Sequence, residues 1–206
     1  MRLLAENLVI ARGGRVLLED LSFKVERGEA LIVTGPNGVG KTTLLRTIVG
    51  YLTPLSGSIE VKNGEPEREL AEQSHYVGHL NGVKSTLSVA DNLAFWRDYL
   101  ATREQGETVS ASLERLGLQG LEDIPAGFLS AGQKRRLSLA RLLLARRPIW
   151  ILDEPTASLD VASQGTFAGL VEEHMKRGGL AVMATHIAIA VNGARELALV
   201  PAGEMA

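Results

Sequence analysis

Short segments in which apolar residues alternate with polar ones, or follow one another without interruption, predict the β-strands of this chain. Alternation near period two over residues 3–10 and 21–25 indicates strands with one buried face. Continuous apolar runs, such as Ile149-Trp150-Ile151-Leu152, indicate strands that are buried on both faces. The predicted strands are residues 3–10, 21–25, 30–34, 58–61, 75–78, 149–152, 180–184 and 197–200.

Apolar residues that recur three and four positions apart predict the helices. Ser88 and Ser130 stand where helix N-caps are expected, because a serine hydroxyl can accept a hydrogen bond from a free amide of the first turn. The predicted helices are residues 41–50, 88–100, 109–116, 137–146 and 161–177.

The order of these elements predicts the architecture. Strands alternate with helices at both ends of the chain, whereas the middle of the chain is helical, which indicates an α/β core carrying a helical subdomain. We expect one domain over residues 1–206, with the core at about 1–78 and 146–206 and the helical subdomain at about 79–145.

Composition narrows the classes of protein that this chain can represent. Hydrophobic residues make up 45% and charged residues 22% of the chain, as in ordinary globular domains, and the net charge of −2 gives no basic field for nucleic acid. The basic runs Lys134-Arg135-Arg136 and Arg146-Arg147 are expected to be solvated helix faces. There are no cysteines, no secretion signal is expected, and no apolar run approaches the roughly 20 residues that span a bilayer.

A glycine-rich loop between a predicted strand and a predicted helix indicates a nucleotide site. It matches the phosphate-loop pattern G-x-x-x-x-G-K-[ST], in which glycines let backbone amides approach a phosphate and the helix start favours negative charge. Lys41 is expected to neutralise the β- and γ-phosphates of ATP, and the Thr42 hydroxyl to bind Mg²⁺. The loop consists of Gly35, Pro36, Asn37, Gly38, Val39, Gly40, Lys41, Thr42 and Thr43.

A pair of carboxylates follows the apolar strand at residues 149–152. Side chains at the carboxyl end of a buried parallel strand face the crevice where ligands of α/β sheets bind. Asp153 is therefore a candidate Mg²⁺ ligand, and Glu154 a candidate base for the water that attacks the γ-phosphate. A solvated acidic turn at the strand end is the alternative.

The remaining motifs resemble those of ABC (ATP-binding cassette) ATPases, and the resemblance covers essentially the whole chain. Leu129-Ser130-Ala131-Gly132-Gln133 is similar to the LSGGQ signature, with Ala131 in place of its first glycine. Asp160 matches the family's D-loop, and His186 matches its switch histidine. The motifs also occur in family order.

The resemblance implies a P-loop NTPase (RecA-like) core with a mixed sheet, an antiparallel β portion and a helical subdomain. It also implies that two copies of the chain stack head to tail with ATP between them. Ser130, Gly132 and Asp160 would then lie at nucleotide held by the partner copy. His186 would contact the γ-phosphate and hold the attacking water with Glu154.

The chain departs from the family pattern at two positions. Arg12 stands where members usually carry an aromatic residue that stacks on adenine, and a guanidinium plane can also stack on a base. His79 stands where the glutamine near Mg²⁺ usually lies, which makes it a candidate sensor of the γ-phosphate site. An exposed turn arginine and a structural loop histidine are the alternatives.

These departures, the compact length and the lead Arg147-Pro148 into the acidic strand resemble one subfamily, the ATP-binding subunits of the haem-export system of cytochrome c maturation. This resemblance implies two such subunits docked on integral membrane proteins of the haem-exporter type, using ATP to release a haem-loaded chaperone. It further implies a peripheral position on the cytoplasmic face of the inner (cell) membrane.

Three other functions are compatible with part of the motif set. The first is the ATPase of another ABC exporter. The second is a soluble ABC protein acting on nucleic acid or ribosomes, which one compact cassette without heptads argues against. The third is a P-loop kinase, which would leave the signature, Asp160 and His186 without roles. We therefore expect no nucleic-acid partner.

Overall fold

The computed structural model describes residues 1–64, 67–100 and 106–202, which form two compact units. The first unit contains residues 1–76, 147–154 and the chain from Gly169 onward, and the second contains residues 77–146 and 155–168.

Two sheets build the β structure. The first is antiparallel in the order β2-β1-β4. The second has the order β5-β6-β7-β3-β8, and β6, β7, β3 and β8 pair in parallel. Every residue of β6 and β7 is buried, as their continuous apolar runs require. The strands are β1 (Arg2–Arg12), β2 (Arg15–Glu26), β3 (Ala30–Thr34), β4 (Ser56–Lys62), β5 (Ser74–Val77), β6 (Ile149–Asp153), β7 (Leu180–Ala184) and β8 (Arg195–Ala198).

The helices differ in their place in the fold. In the first unit, α1 packs its buried residues Leu44, Leu45 and Ile48 into the same apolar core as β3 and β6. In the second unit, α3, α4 and a 3₁₀ turn (Ala126–Phe128) precede α5. The helices are α1 (Lys41–Ile48), α2 (Leu70–Gln73), α3 (Val89–Tyr99), α4 (Val109–Arg115), α5 (Ala131–Leu144) and α6 (Val161–Lys176).

The predicted α/β fold with an antiparallel portion is confirmed, but some element boundaries are wrong. Helix α5 begins at Ala131 rather than residue 137, because Ser130 caps it and its first six residues are small or polar. Strand β2 begins at Arg15, six residues before the predicted start. The four-residue helix α2 was not predicted. No helix of the described residues is long and apolar enough to cross a membrane.

Candidate functional site

The phosphate loop joins the end of β3 to the start of α1, and its backbone needs glycine. Gly35 has a φ of 132°, and a Cβ there would lie 2.7 Å from the Leu199 carbonyl oxygen. Gly40, with a φ of 118°, is the N-cap of α1 and gives no side-chain hydrogen bond to the first turn. The amides at the start of α1 therefore have no capping side chain and can donate to an anion.

Two side chains of α1 face the other parts of the site. The Lys41 ammonium donates to the carbonyl oxygens of Gly35, at 2.7 Å, and Pro36, at 3.1 Å. The Thr42 hydroxyl lies 2.9 and 3.1 Å from the two carboxylate oxygens of Asp153. The loop and the acidic strand end thus bring a hydroxyl and a carboxylate together, which are oxygen groups suited to Mg²⁺.

Glu154 leaves the sheet with a strained backbone. Its φ is 50°, in the left-handed region that residues other than glycine rarely adopt, while its amide donates to the Ala184 carbonyl oxygen at 2.8 Å. Asp153 is buried in β6, whereas the Glu154 side chain is 15% exposed. The turn separates the two neighbouring acids, so that one meets Thr42 and the other meets His186.

His186 lies beside Glu154. Its Nδ1 is 2.8 Å from the Glu154 Oε2, and its backbone amide points at the same oxygen at 3.4 Å. The preceding Thr185 accepts a hydrogen bond from the Ile187 amide at 3.0 Å, which closes a tight turn after β7. A cavity of about 460 Å³ opens next to this turn, and Gly35 of the phosphate loop lines it as well.

Tyr76 is the titratable neighbour of this site whose pKa is shifted. Burial raises the pKa of the Tyr76 phenol, a hydrogen bond with Arg46 opposes the rise, and the Asp153 charge adds to it. Tyr51 packs edge-on against its ring, with the centroids 5.4 Å apart. Tyr76 is therefore a neutral phenol at neutral pH.

The signature residues lie in the second unit, at the start of α5. Ser130 and Gln133 form a reciprocal capping box, in which the Gln133 amide donates to the Ser130 hydroxyl at 3.2 Å and the Ser130 amide donates to the Gln133 side chain at 2.8 Å. Gly132 must be glycine here, because a Cβ would lie 2.8 Å from the Ser158 carbonyl oxygen.

Asp160 caps the start of α6. Its carboxylate accepts a hydrogen bond from the Ser163 amide at 2.7 Å. That backbone hydrogen bond, followed by one from the Ser163 hydroxyl, lowers the Asp160 pKa. The carboxylate is ionised at neutral pH and fixed at the helix start.

Sequence reasoning missed Arg135. The prediction that the basic run at residues 134–136 is solvated is wrong for Arg135, which is 3% exposed. Helical spacing carried the signal, because Arg135 precedes the buried Leu139 and Leu142 by four and seven positions on α5.

His79 and Arg12 are both exposed. His79 follows β5 in the loop that also holds Gly78 and Asn81, in the second unit. Arg12 ends β1 and pairs with Arg15 across the Gly13-Gly14 turn. Further along β2, Leu17 lies against Gly40 of the phosphate loop. The structure thus brings Lys41, Thr42, Asp153, Glu154 and His186 together in the first unit.

The fold and the site together define an ATP-binding subunit of the ABC class. The profile of the ABC transporter family matches residues 18–157. An ABC transporter ATP-binding protein from Pyrococcus furiosus superposes with a TM-score of 0.81 at 26% identity, covering 97% of this chain and 98% of that one. A dimeric ATP-binding cassette solved in a post-hydrolysis state with ADP and Pi has the same fold, with a TM-score of 0.80 at 21% identity and coverage of 96% and 94%.

Curated proteins of similar sequence show which group of the ABC transporter family this chain resembles. The cytochrome c biogenesis ATP-binding export protein CcmA of Bradyrhizobium diazoefficiens is 51% identical over 96% of this chain and 97% of its own length. CcmA of Rhodopseudomonas palustris strain HaA2 is 50% identical over 90% and 92%, and CcmA of Brucella abortus strain 2308 is 48% identical over 94% and 89%. The chain belongs to the ABC transporter family and, within it, to the CcmA group. It is an ABC ATPase.

Proposed function

We propose that this chain is the ATP-hydrolysing subunit of the haem-export and chaperone-release system of cytochrome c biogenesis. The near full-length identity of 51% to a CcmA export protein carries the proposal. The hydrogen-bonded pairs Thr42–Asp153 and Glu154–His186 support it, since they supply the groups that ATP hydrolysis needs.

The phosphate loop and Lys41 bind the β- and γ-phosphates of ATP in this proposal. Lys41 already lies among loop carbonyl oxygens, and a phosphate at the α1 start offers it a stronger, charged acceptor. Arg12 contacts the adenine. It stands at the tip of a hairpin whose second strand packs on Gly40 through Leu17.

Glu154 is the general base and His186 its partner. The carboxylate accepts the proton of the attacking water. The His186 imidazole, whose Nδ1 lies 2.8 Å from the carboxylate, fixes it and leaves Nε2 for the γ-phosphate. The Glu154 amide donates to Ala184, and the carboxylate is oriented by its contacts with the Nδ1 and the backbone amide of His186. His79 senses the same phosphate.

Mg²⁺ fits the pair of oxygen groups formed by Thr42 and Asp153, which are within hydrogen-bonding distance of each other. No group of three or more His, Cys, Asp or Glu side chains suited to a metal exists among the described residues, so phosphate oxygens and water would complete its shell. The ion would neutralise charge on the phosphates.

Two copies act as a head-to-tail pair on integral membrane subunits of the haem-exporter type, at the cytoplasmic face of the inner membrane. Ser130, Gly132 and Asp160 then meet the nucleotide of the partner copy, while residues 79–145 act as the helical subdomain of the core at 1–78 and 146–206. The rigid caps at Ser130 and Asp160 support this, because capped helix starts present fixed groups.

Glu154→Gln tests the role of the base. We expect ATP hydrolysis to fall by about 100-fold or more, while ATP binding persists, because an amide cannot take a proton from water. Steady-state phosphate release and calorimetric ATP binding measure the two effects. Glu60→Gln, which changes an exposed carboxylate on β4, is the control and should leave both unchanged. Hydrolysis at the normal rate by Glu154→Gln would remove Glu154 from its role.

The Glu154→Gln variant also tests which transport system the chain belongs to. Purified from membranes through a tag, Glu154→Gln should retain its partners in the ATP-bound state, and we expect membrane proteins of cytochrome c biogenesis. Another exporter's membrane subunits would move the chain to a different ABC transporter. Ribosomal particles or nucleic acid would contradict a transport function.

A further inference from the structure

We propose that Arg135 is a positioning residue of the ATPase, which holds the His79 loop and the segment after Glu154 to the signature helix α5. This inference rests on the nucleotide contacts proposed above for the signature, Asp160 and His79. In this proposal one buried guanidinium fixes the positions of α5, the His79 loop and the segment after Glu154 relative to one another.

The contacts of Arg135 define the three segments. Its Nη1 donates to the Gly78 carbonyl oxygen at 2.9 Å and to the Asn81 Oδ1 at 3.2 Å. Its Nε donates to the Pro155 carbonyl oxygen at 3.1 Å. All four residues belong to the second unit. One guanidinium therefore joins α5 to residues on both sides of His79 and to the residue that follows Glu154 in the chain.

Burial makes these bonds costly to lose. Arg135 is 3% exposed, and a cation withdrawn from water is tolerated only when its donors are satisfied. The planar guanidinium directs its N–H groups outward in a fixed fork, so the Nε and Nη1 bonds fix the angle between the two loops as well as their distance. A lysine ammonium at the end of a flexible stem could not impose that angle.

A second contact joins two of the same segments. Gly132, one turn before Arg135 on α5, lies so near the Ser158 carbonyl oxygen that a Cβ would come within 2.8 Å of it. Ser158 itself has a φ of 65°, so the segment between Pro155 and Asp160 follows a path that few non-glycine residues adopt. The start of α5 and this segment are thus fixed at two points, Gly132 and Arg135.

Arg135→Gln tests the proposal in the full chain, purified with its membrane partners. A displacement of about 1 Å at catalytic groups can slow a reaction roughly 100-fold, so we expect kcat for ATP to fall by about 10-fold to 100-fold. The dissociation constant for ADP should stay within about twofold, because the bonds that Arg135 makes to Gly78, Asn81 and Pro155 do not involve phosphate-loop residues. Arg135→Lys should restore only a small part of kcat.

Arg136→Gln is the matched control. Arg136 is the next residue of α5, and it also donates to two backbone carbonyl oxygens, those of Leu116 and Gly117, each at 2.9 Å. Its loss removes these two backbone bonds from a different loop. We expect it to lower thermal stability less than Arg135→Gln, because Arg136 is only partly buried, and to leave kcat within about twofold.

Hydrogen exchange shows whether the loops have been released. Arg135→Gln should raise amide exchange at residues 78–82 and 155–160, whereas Arg136→Gln should raise it at residues 116–118. Normal kcat together with faster exchange in the two loops would overturn the positioning role, and so would an equal loss of kcat in both variants. If Arg135→Gln is normal while Glu154→Gln is inactive, this inference fails and the proposed function stands.

Discussion

At the scale of single residues, the phosphate-loop glycines differ in how much a side chain at their position would destabilise the fold. Gly35 and Gly38 both have positive φ angles, 132° and 82°. A Cβ at Gly35 would meet the Leu199 carbonyl oxygen at 2.7 Å, whereas a Cβ at Gly38 would meet nothing within 4 Å. Only Gly35 therefore combines backbone strain with a steric clash on substitution.

Alanine substitutions at Gly35 and Gly38 should separate the destabilisation caused by backbone strain from that caused by a steric clash. Gly38→Ala places an alanine at a positive φ without a steric clash. We therefore expect a loss of about 1 kcal/mol in the free energy of unfolding. Gly35→Ala also displaces Leu199, and we expect a loss of roughly 2–3 kcal/mol or more. Urea denaturation without nucleotide measures both. Equal losses would mean that the loop moves away from Leu199 at little cost.

Sequence alone predicted the residue types of the site but not its partners. The motif pattern placed Lys41 and Thr42 correctly at the start of α1, and the acidic pair at the end of β6. The contact of Gly35 with Leu199 and the buried bonds of Arg135 join residues far apart in the chain, which local spacing cannot reveal. The bond from the Glu154 amide to the Ala184 carbonyl oxygen likewise joins residues far apart in the chain.

At the scale of elements, apolar periodicity found most strands and helices but misplaced the start of α5. The first turns of that helix carry lysine and arginine, so no apolar pattern marks them. The capping box of Ser130 and Gln133 marks the start instead, three residues apart as such boxes require. The N-cap predicted at Ser130 is therefore confirmed, whereas the start at residue 137 that apolar periodicity predicts is wrong.

Helix α6 contains two glycines that nothing in the structure demands. Gly165 and Gly169 are exposed, lie four residues apart and would place a Cβ in open space. We expect Gly165→Ala and Gly169→Ala each to raise the free energy of unfolding by roughly 0.5–1 kcal/mol, because alanine has less freedom to lose in a helix. Thermal denaturation measures the gain. A loss of stability in either variant would show a backbone constraint that these contacts do not contain.

At the scale of the whole molecule, the order of the strands in the second sheet brings the candidate catalytic groups together. In the second sheet β7 lies between β6 and β3, and the three strands are parallel. Their carboxyl ends therefore bring the phosphate loop, Glu154 and His186 to one edge, although these motifs are far apart in sequence. The sequence gives the motifs in order along the chain, but the neighbour relations arise only when the sheet forms.

The stability of the whole chain should depend on pH through a histidine outside the site. His174 of α6 stacks on Trp150 with ring centroids 4.0 Å apart, and its Nε2 lies 3.2 Å from the Leu180 carbonyl oxygen. Burial lowers the His174 pKa to about 4, and the backbone bonds to Leu180 and Pro148 only partly oppose this. The folded protein therefore holds this imidazole neutral over a range in which the unfolded chain protonates it.

The direction of this pH dependence follows from the number of protons that the folded and unfolded states bind. Between the unfolded pKa of about 6.5 and the folded value of about 4, the unfolded state binds more protons, so stability is full above pH 6.5 and falls as pH decreases. We expect this group to account for a loss of roughly 3 kcal/mol by pH 4. His174→Phe keeps a ring against Trp150 but cannot titrate, so its denaturation midpoint should vary less with pH over this window, even if it is lower at pH 7. Parallel midpoint curves for the two proteins would show that other groups cause the acid sensitivity.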